Sequence, residues 1–429
     1  METKTKNWAI VKWLVWSLSV TFYFYEFVLR VAPSVMVKDL MAAFSLNAAE
    51  VGSLAAIYLY IYAPMQIPVG VLTDYFGARK LLTIAAIVCG LGCLLFGFAN
   101  QEWIAGAGRL LMGIGSAFAF VGMVYICSHW FHKKNLAFLI GLANSLGMFG
   151  AFIGQGPLSM LVHEIGWRAS VIQLGILGII IGAVIFFVVR NDPPSIAKKE
   201  QAKREKMPSV FHFLKVVARK RQSWINALAS LCYYSITVAF AGLWGIPFLE
   251  QTHDVSRNVA SFATSMIFVG WMIGGPIIGT YSDRIKGRKP ILLTSLTLTF
   301  ISLASVIYLD HLPLIALFIL LFAVGFFSSA QLLQYSIAIE MNPHEAKGSS
   351  IAFTNFLTMM GGAIIQPLVG YLLDLNWHGE RVLGIPYYST SDYKIALSIF
   401  PILVIFAMIF NLLIKEKKAP HLKDPDLPI

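Results

Sequence analysis

The sequence predicts an all-α membrane protein in which twelve transmembrane helices form two pseudo-symmetric six-helix bundles. Three observations support this fold class. The 429 residues are 57% hydrophobic and only 13% charged, with a mean hydropathy of +0.71, which is not typical of a water-soluble domain of this length. Apolar stretches of about 20 residues, the length that crosses a bilayer as a helix, recur along the whole chain. A charged loop motif is also repeated about half a chain apart.

The apolar stretches divide the chain into two sets of six. A basic linker, 191–221, separates an N-terminal bundle, 1–190, from a C-terminal bundle with a short tail, 222–429. The linker segment PSVFHFLKVVARKRQ is interpreted either as an interfacial helix on an anionic membrane surface or as a plain solvated connection. The predicted spans are 10–34, 50–72, 80–99, 103–129, 136–162, 169–190, 223–249, 257–280, 290–309, 312–339, 348–373 and 393–414.

The net charge of +11 is explained by membrane topology rather than by a nucleic-acid partner. With both termini placed in the cytoplasm, 26 of the 33 Lys and Arg residues lie in cytoplasmic segments and 5 in periplasmic loops. The other two, Arg30 and Arg109, lie inside predicted spans. This distribution is the positive-inside bias. It predicts a multi-pass protein with both termini in the cytoplasm. The sequence also lacks an N-x-S/T glycosylation signal, which is compatible with a bacterial inner membrane.

No cofactor or metal is expected. Cys89, Cys93, Cys127 and Cys232 all fall inside predicted helices, where they are interpreted as small hydrophobic residues. The sequence lacks H-E-x-x-H, G-x-S-x-G and C-x-x-C, which argues against an enzyme, and it lacks the phosphate-binding loop of an ATP-driven pump.

The loop motif is the internal repeat. GVLTDYFGARK follows the second span and GTYSDRIKGRK follows the eighth, so Gly70 and Gly279 are 209 residues apart. One extra residue separates Asp from the next Gly in the second copy. Such symmetry is typical of transporters whose two halves rock about a central site. The echoed positions are Asp74, Gly77, Arg79 and Lys80 in the first copy and Asp283, Gly287, Arg288 and Lys289 in the second.

With these motifs the chain resembles the major facilitator superfamily. The loop signature G-x-x-x-D-x-x-G-x-[RK]-[RK] is matched cleanly in the first half and with one inserted residue in the second, and RLLMGIGSA in the fourth span matches R-x-x-x-G-x-G-x-A. The resemblance implies secondary transport of a small-molecule substrate by alternating access, in a protein that works as a monomer. It also implies a gating role at the cytoplasmic face for Asp74, Arg79, Lys80, Asp283 and Arg288. The alternative is that the basic residues among these only set topology.

Two charges inside the first span form the candidate site. Glu26 and Arg30 are four residues apart, so they share one helix face, which Tyr23 joins. Ionisable groups in a bilayer are costly and are therefore candidates for function. Because the first and fourth helices line one cavity in this superfamily, a cluster of Glu26, Arg30 and Arg109 is expected. It is either an ion pair that holds helices together, or an arginine site for a carboxylate or phosphate with Glu26 as the proton-coupling group.

Polar residues at helical spacing on other spans extend this candidate site. The substrate-binding candidates there are Tyr234 in the seventh span, Gln331 and Tyr335 in the tenth, and Asn355 in the eleventh. A polar stripe on an apolar helix indicates either a wet lumen or hydrogen bonds between helices.

Within the superfamily the chain looks most like the anion:cation symporters. The resemblance lies in Arg30 followed by VAPSVM, in Gln66-Ile67-Pro68, and in Gly166-Trp167-Arg168 before the sixth span. It implies an organic anion substrate that Arg30 helps to hold, with a proton as second partner. One departure is Ser116, where many members carry a Glu implicated in proton coupling. Either Glu26 does that work, or the protein is not a proton symporter of that kind. The alternatives are a drug exporter, an importer of dipeptides, amino acids or siderophores, and a transporter-like sensor.

Overall fold

The computed structural model describes residues 2–191, 210–285 and 287–415. Twelve helical spans dominate it, which confirms the predicted fold class. In the first half they are Glu2–Val31 (span 1), Ala48–Phe76 (span 2), Ala78–Phe98 (span 3), Glu102–Trp130 (span 4), Leu136–Ile153 with Gly156–Ile165 (span 5) and Trp167–Val188 (span 6).

Three spans of the second half are interrupted helices. Span 7 consists of Arg221–Ser235, a π-helix over Ile236–Trp244, and Gly245–Thr252; span 10 consists of Leu314–Ser328, a 3₁₀ turn over Ser329–Leu332, and Leu333–Met341; span 12 consists of Thr390–Leu397 and Ile399–Leu413. The others are Arg257–Arg284 (span 8), Lys289–Tyr308 (span 9) and Lys347–Asn376 (span 11).

Apolarity and length support a membrane-spanning role for these helices. Among the described residues, eleven helices are long and apolar enough to cross a membrane, and a twelfth is counted when Val37–Phe44 and Ala48–Gly70, bent by 110°, are taken as one span. The protein is therefore an integral, multi-pass membrane protein.

Short elements connect the spans. They are 3₁₀ turns over Ala32–Val35, Lys133–Asn135 and His344–Ala346, helices Val37–Phe44 and Val210–Ala218, and an antiparallel pair of strands, Arg381–Val382 and Ile385–Pro386, with Arg381 opposite Pro386. A capping box starts span 2, in which Asn47 Oδ1 accepts from the Glu50 amide at 2.9 Å and Glu50 Oε2 accepts from the Asn47 amide at 2.8 Å. Span 2 ends at Gly77, whose φ of +80° suits glycine.

The two halves meet mainly through two pairs of spans. Span 2 packs along span 11, and span 5 packs along span 8. Spans 1 and 7 are the most buried, whereas spans 3, 6, 9 and 12 expose large apolar side chains such as Ile84, Phe187, Ile301 and Leu412. Spans 1 and 7 are therefore central, and the exposed apolar faces suit contact with lipid.

The ends of the spans define two faces of the molecule. The terminal face is the one where span 1 begins and span 12 ends, and the far face is the opposite one. The linker helix Val210–Ala218 lies at the terminal face and packs on the second half, where the buried Val217 joins a cluster with Ala227, Ala346 and Phe353. The linker helix is therefore docked on protein and is not a plain solvated connection. The rest of the basic linker, 192–209, lies outside the described residues.

Candidate functional site

Glu26 and Arg30 form a buried ion pair on span 1. Arg30 Nη2 and Nε donate to Glu26 Oε1 at 2.5 and 2.9 Å, and the Tyr58 hydroxyl donates to the same oxygen at 2.6 Å. Glu26 is 0% exposed and Arg30 is 8% exposed. The other carboxylate oxygen, Oε2, has no hydrogen-bond partner within the described part of the chain. One oxygen of Glu26 thus accepts three hydrogen bonds, while the other is free to take a proton.

Aromatic side chains hold the Arg30 guanidinium at the boundary between the halves. The guanidinium carbon lies 4.5 Å from the Phe27 ring centre and 4.8 Å from that of Tyr62, which is cation–π geometry. Tyr234 and Thr237 of span 7 line one small cavity together with Arg30. The ion pair therefore belongs to the first half, but its cation faces the second half.

Tyr23 lies beside this pair. Its ring packs against Phe27 and Phe120, with centre-to-centre distances of 5.1 and 5.6 Å. It also lies within electrostatic range of Glu26 and Arg30. The structure thus places Tyr23 on the same face as the charges, as the sequence predicted.

Arg109 occupies a separate position inside the first half. Its Nη1 donates to the Leu29 carbonyl at 3.0 Å and its Nη2 donates to the Ala55 carbonyl at 3.1 Å. Its guanidinium carbon lies 4.8 Å from the ring centre of Tyr58, so that ring stands between Arg109 and Glu26. No ion pair joins Arg109 to a carboxylate of the described residues. The expected three-residue cluster is not a single contact group, because helix rotation turns Arg109 toward backbone carbonyls of spans 1 and 2.

The polar residues predicted in the second half come together in two hydrogen-bonded groups. Gln331 Nε2 donates to Ser230 Oγ at 2.6 Å, and Ser230 Oγ lies 2.6 Å from Thr358 Oγ1. The Tyr335 hydroxyl donates to Asn355 Oδ1 at 2.8 Å. These groups join spans 7, 10 and 11.

Two tyrosines connect these groups with Arg30. Tyr335 lies within electrostatic range of both Tyr234 and Arg30. The ring of Tyr234 packs edge-on against Trp271, with 5.5 Å between ring centres. The structure thus places Tyr234, Gln331, Tyr335 and Asn355 on the side of the second half that faces the ion pair.

The π-helix of span 7 was not predicted from the sequence. Its carbonyl groups accept side-chain hydrogen bonds, from Gln155 Nε2 to the Ala241 oxygen at 2.5 Å and from Gln366 Nε2 to the Val238 oxygen at 2.8 Å. Gln155 belongs to the first half, so the π-helix is one point where the halves are joined. Such segments are rare and are often found at functional sites.

At the far face the carboxylate of Asp374, on span 11, accepts hydrogen bonds from the first amides of span 2. Asp374 Oδ2 accepts from the Ala49 amide at 2.8 Å, and its Oδ1 accepts from the Ala48 amide at 3.2 Å and from the Tyr388 hydroxyl at 2.5 Å. Amide groups at a helix N-terminus favour a negative charge. Burial and the neighbouring carboxylate raise the pKa of Tyr388, so its hydroxyl remains a donor.

Four charged residues add an ionic network at the same face. Lys38 Nζ lies 2.7 Å from Glu250 Oε2, Arg257 Nη1 lies 2.6 Å from Asp39 Oδ2, and Arg257 Nε lies 3.7 Å from Glu250 Oε1. Lys38 and Asp39 belong to the first half, whereas Glu250 and Arg257 belong to the second. We call this network, together with the Asp374 contacts, the far-face lock. The sequence analysis missed it, although charges of both signs at the ends of neighbouring spans were a usable signal.

Glycines allow the close approach that the lock requires. A Cβ atom at Gly370 would overlap the Ala48 carbonyl group, and one at Gly52 would lie 2.6 Å from the Gln366 carbonyl oxygen. Spans 2 and 11 therefore touch backbone to backbone near the far face.

At the terminal face the repeated loop motif makes contacts within each half. Arg79 Nε and Nη2 donate to the Phe186 carbonyl at 2.9 and 2.7 Å, and Arg288 Nη2 pairs with Glu340 at 2.7 Å. Lys289 Nζ donates to the Leu412 carbonyl at 2.6 Å, so Arg79 and Lys289 each bind the end of the last span in their own half. Lys80 and Asp283 are exposed, and the side chain of Asp74 lies outside the described residues.

The polar contacts that cross between the halves show which face is closed. Over residues 2–191, 210–285 and 287–415, these contacts lie at the far face or near the middle of the spans, as with Ser145 Oγ donating to the Met272 carbonyl at 3.3 Å. The conformation is therefore closed at the far face.

Comparisons with known proteins agree with this architecture. A family model described as "Major Facilitator Superfamily" matches residues 15–365 and 227–427. "Probable galactarate/D-glucarate transporter GudP" of Escherichia coli is 24% identical over 87% of this chain and 88% of its own length. "Membrane sensor protein UhpC" of Salmonella typhimurium is 24% identical over 86% of each chain. A crystal structure titled as a bacterial homolog to the human lysosomal transporter Spinster, inward-facing and unoccupied, superimposes with a TM-score of 0.72 at 17% identity, covering 94% of this chain and 97% of that one.

Proposed function

The chain belongs to the major facilitator superfamily, and from this premise we propose that it is a secondary active transporter of a small organic anion, coupled to protons through Glu26. The family is one of transporters rather than enzymes, and the relative GudP is named a probable transporter. The observation that carries the proposal is the position of the Glu26–Arg30 pair, which belongs to the first half while its cation faces Tyr234 of the second. The printed name of the relative GudP, a probable transporter of sugar diacids, supports an anionic substrate.

The geometry of the pair suggests how a proton and an anion are coupled. While Glu26 is ionised, its Oε1 engages two donors of Arg30, and the pair is neutral as a whole. A proton on the unpartnered Oε2 neutralises Glu26 and leaves the guanidinium as an uncompensated buried cation. An incoming carboxylate then takes the place of Glu26, as guanidinium groups bind carboxylates through paired hydrogen bonds. Loss of the proton restores the ion pair and expels the anion.

The remaining predicted residues receive roles from their positions. The anion beside Arg30 is surrounded by the other substrate-binding candidates, Tyr23, Tyr234, Gln331, Tyr335 and Asn355. Arg109 is assigned as a positioning residue, because its donors bind the Leu29 and Ala55 carbonyls and its guanidinium supports the Tyr58 ring.

The two faces act as alternate gates in this proposal. The far-face lock opens when the terminal face closes, and Asp74, Arg79, Lys80, Asp283 and Arg288 then form contacts that bring the halves together at the terminal face. The excess of basic residues at the terminal face supports placing it, with both termini, in the cytoplasm of a bacterial inner membrane. The conformation described here is then inward-facing, in a protein that works as a monomer.

A binding experiment tests the anion site. The purified protein is heated in detergent at pH 5.5 and 7.5 with sugar acids, mono-, di- and tricarboxylates, organophosphates, dipeptides and lipophilic cations. A ligand present at one hundred times its Kd raises the unfolding free energy by about 2.7 kcal/mol. We expect an anion to stabilise the wild type but not Arg30→Gln. Arg168→Gln is the control, since the Arg168 guanidinium also packs on aromatic rings, 4.4 Å from the Trp167 ring centre and 5.7 Å from that of Phe44, but lies at the far-face end of span 6. Stabilisation by cations alone, unchanged in Arg30→Gln, would contradict the proposal.

A transport experiment tests proton coupling. In proteoliposomes we expect Glu26→Gln to exchange labelled anion across the membrane but to lose the accumulation that a pH gradient drives. Full gradient-driven accumulation by Glu26→Gln would show that Glu26 is not the coupling group.

A sensor is the second candidate function, because the relative UhpC is named a membrane sensor protein. A sensor would bind the anion in the first experiment and show no flux in the second.

A further inference from the structure

The charged residues inside the membrane-spanning part of the chain are few, and all of them lie in the first half. In the first half, the ranges 13–34, 51–73, 81–101, 103–128, 136–162 and 169–189 contain Glu26, Arg30 and Arg109 and no other Asp, Glu, Lys, Arg or His. The second half contains no Asp, Glu, Lys, Arg or His in 222–249, 258–282, 290–309, 312–339, 348–373 or 395–414. Any charge that a substrate brings to the middle of the molecule must therefore be balanced by the first half.

Only one of the two buried cations is available for that purpose. Arg109 is 3% exposed, donates to the Leu29 and Ala55 carbonyls, and is separated from Glu26 by the Tyr58 ring. The rest of its surroundings is apolar, including Phe96, Val171 and Leu174. Arg30 is the cation that faces the second half.

The second half offers neutral hydrogen-bonding groups. The amide of Gln331 and the hydroxyl groups of Ser230 and Thr358 form one group, and the hydroxyl of Tyr335 with the amide of Asn355 forms another. Such groups bind hydroxyl groups well, whereas an additional carboxylate beside them would be a buried charge without a counter-ion.

We infer that the substrate is a monoanion with a hydroxyl-rich neutral tail, its single carboxylate bound by Arg30 and its tail bound by Gln331, Tyr335 and Asn355. This inference rests on the proposed function and deepens it. When Glu26 is protonated, Arg30 and one carboxylate sum to zero charge. A dianion would leave one negative charge unpaired in the middle of the molecule. The chain is thereby distinguished from its relative GudP, whose printed name specifies dicarboxylates.

Aldonates and aldarates provide matched ligands for the test. D-gluconate and D-glucarate share six carbons and four secondary hydroxyl groups, and differ only in whether the sixth carbon is an alcohol or a carboxylate; D-galactonate and galactarate form a second pair. Hexanoate is a monoanion of the same length without hydroxyl groups. At pH 7.5 all their carboxyl groups are ionised, since ordinary carboxyl pKa values are about 4. Kd is measured for each ligand on full-length protein in detergent.

We expect at least one aldonate to bind ten times more tightly than its aldarate and ten times more tightly than hexanoate. Tyr335→Phe should weaken the aldonate and leave hexanoate unchanged. Tyr308→Phe is the control, because Tyr308 also uses its hydroxyl within the second half, on Ser398 at 2.7 Å, but at the far end of span 9.

The possible results separate this inference from the proposed function. An aldarate that binds as tightly as its aldonate, in an Arg30-dependent way, would overturn the monoanion inference and leave anion transport standing. Arg30-dependent binding of hexanoate as tight as that of the aldonates would overturn the assignment of the tail. If no anion binds in an Arg30-dependent way, both the inference and the proposed function fail.

Discussion

Replacing Asp374 by alanine should shift the protein from the state closed at the far face toward one that is open there. Asp374 accepts hydrogen bonds from the Ala48 and Ala49 amides across the boundary between the halves, at 3.2 and 2.8 Å. A hydrogen bond to a charged group contributes about 1.5 to 3 kcal/mol, and the lower value applies because Asp374 is only half-buried. Two such bonds amount to about 3 kcal/mol, which changes the ratio of the two states by about 150-fold.

The shift can be measured as a distance between the two halves. Spin labels are attached to cysteines introduced at Ala43 and His378, which are exposed at the far face in opposite halves, while the four native cysteines are buried. Asp374→Ala should convert a single short distance into a distribution dominated by a longer one. Asp310→Ala is the matched control, since Asp310 pairs with Lys394 at 2.5 Å within the second half. An unchanged distribution in Asp374→Ala, or an equal shift in Asp310→Ala, would show that Asp374 does not hold the far face closed.

Three further predictions concern other parts of the structure. Gly370→Ala should also favour opening at the far face, because the added Cβ overlaps the Ala48 carbonyl group, and the same spin labels would report it. Arg109→Gln should lower the unfolding free energy by about 2 to 4 kcal/mol through loss of buried hydrogen bonds, yet keep Arg30-dependent anion binding; loss of binding in a protein that melts normally would contradict this. Burial lowers the pKa of His253, so its contribution to stability is complete above the ordinary value of about 6.5 and declines as the pH falls below it. Melting temperatures at pH 7.5 and 5.5 should accordingly differ less in His253→Asn than in the wild type.

Hydropathy predicted the twelve spans because each helix must satisfy its own backbone groups in lipid, which makes length and apolarity sufficient evidence. The loop repeat predicted two related halves because it is a local pattern that can be read directly from the sequence. The π-helix in span 7 left no such pattern. Its carbonyl groups are bonded by Gln155 and Gln366, which are 86 and 128 residues from their partners. Only the fold brings those partners together.

The candidate site was predicted in part. Spacing placed Glu26, Arg30 and Tyr23 on one face because all three belong to one helix. The position of Arg109 depends on how span 4 is rotated against spans 1 and 2, which the sequence of one helix does not determine. The far-face lock joins Lys38 to Glu250 and Asp39 to Arg257, and residues at the ends of spans resemble ordinary loop charges until the two halves are assembled.

The far-face lock also makes the closed conformation sensitive to dissolved salt. Its ion pairs are in contact with solvent, with 45% of the Lys38 side chain exposed, and dissolved ions screen such pairs over about 8 Å at physiological ionic strength. The amides that hold Asp374 are shorter-range contacts and are less affected. High salt at the far face would therefore weaken the ion pairs and leave the Asp374 hydrogen bonds largely unchanged. Low salt would strengthen the ion pairs. In the proposed orientation, the salt concentration outside the cell would therefore change how often the far face opens.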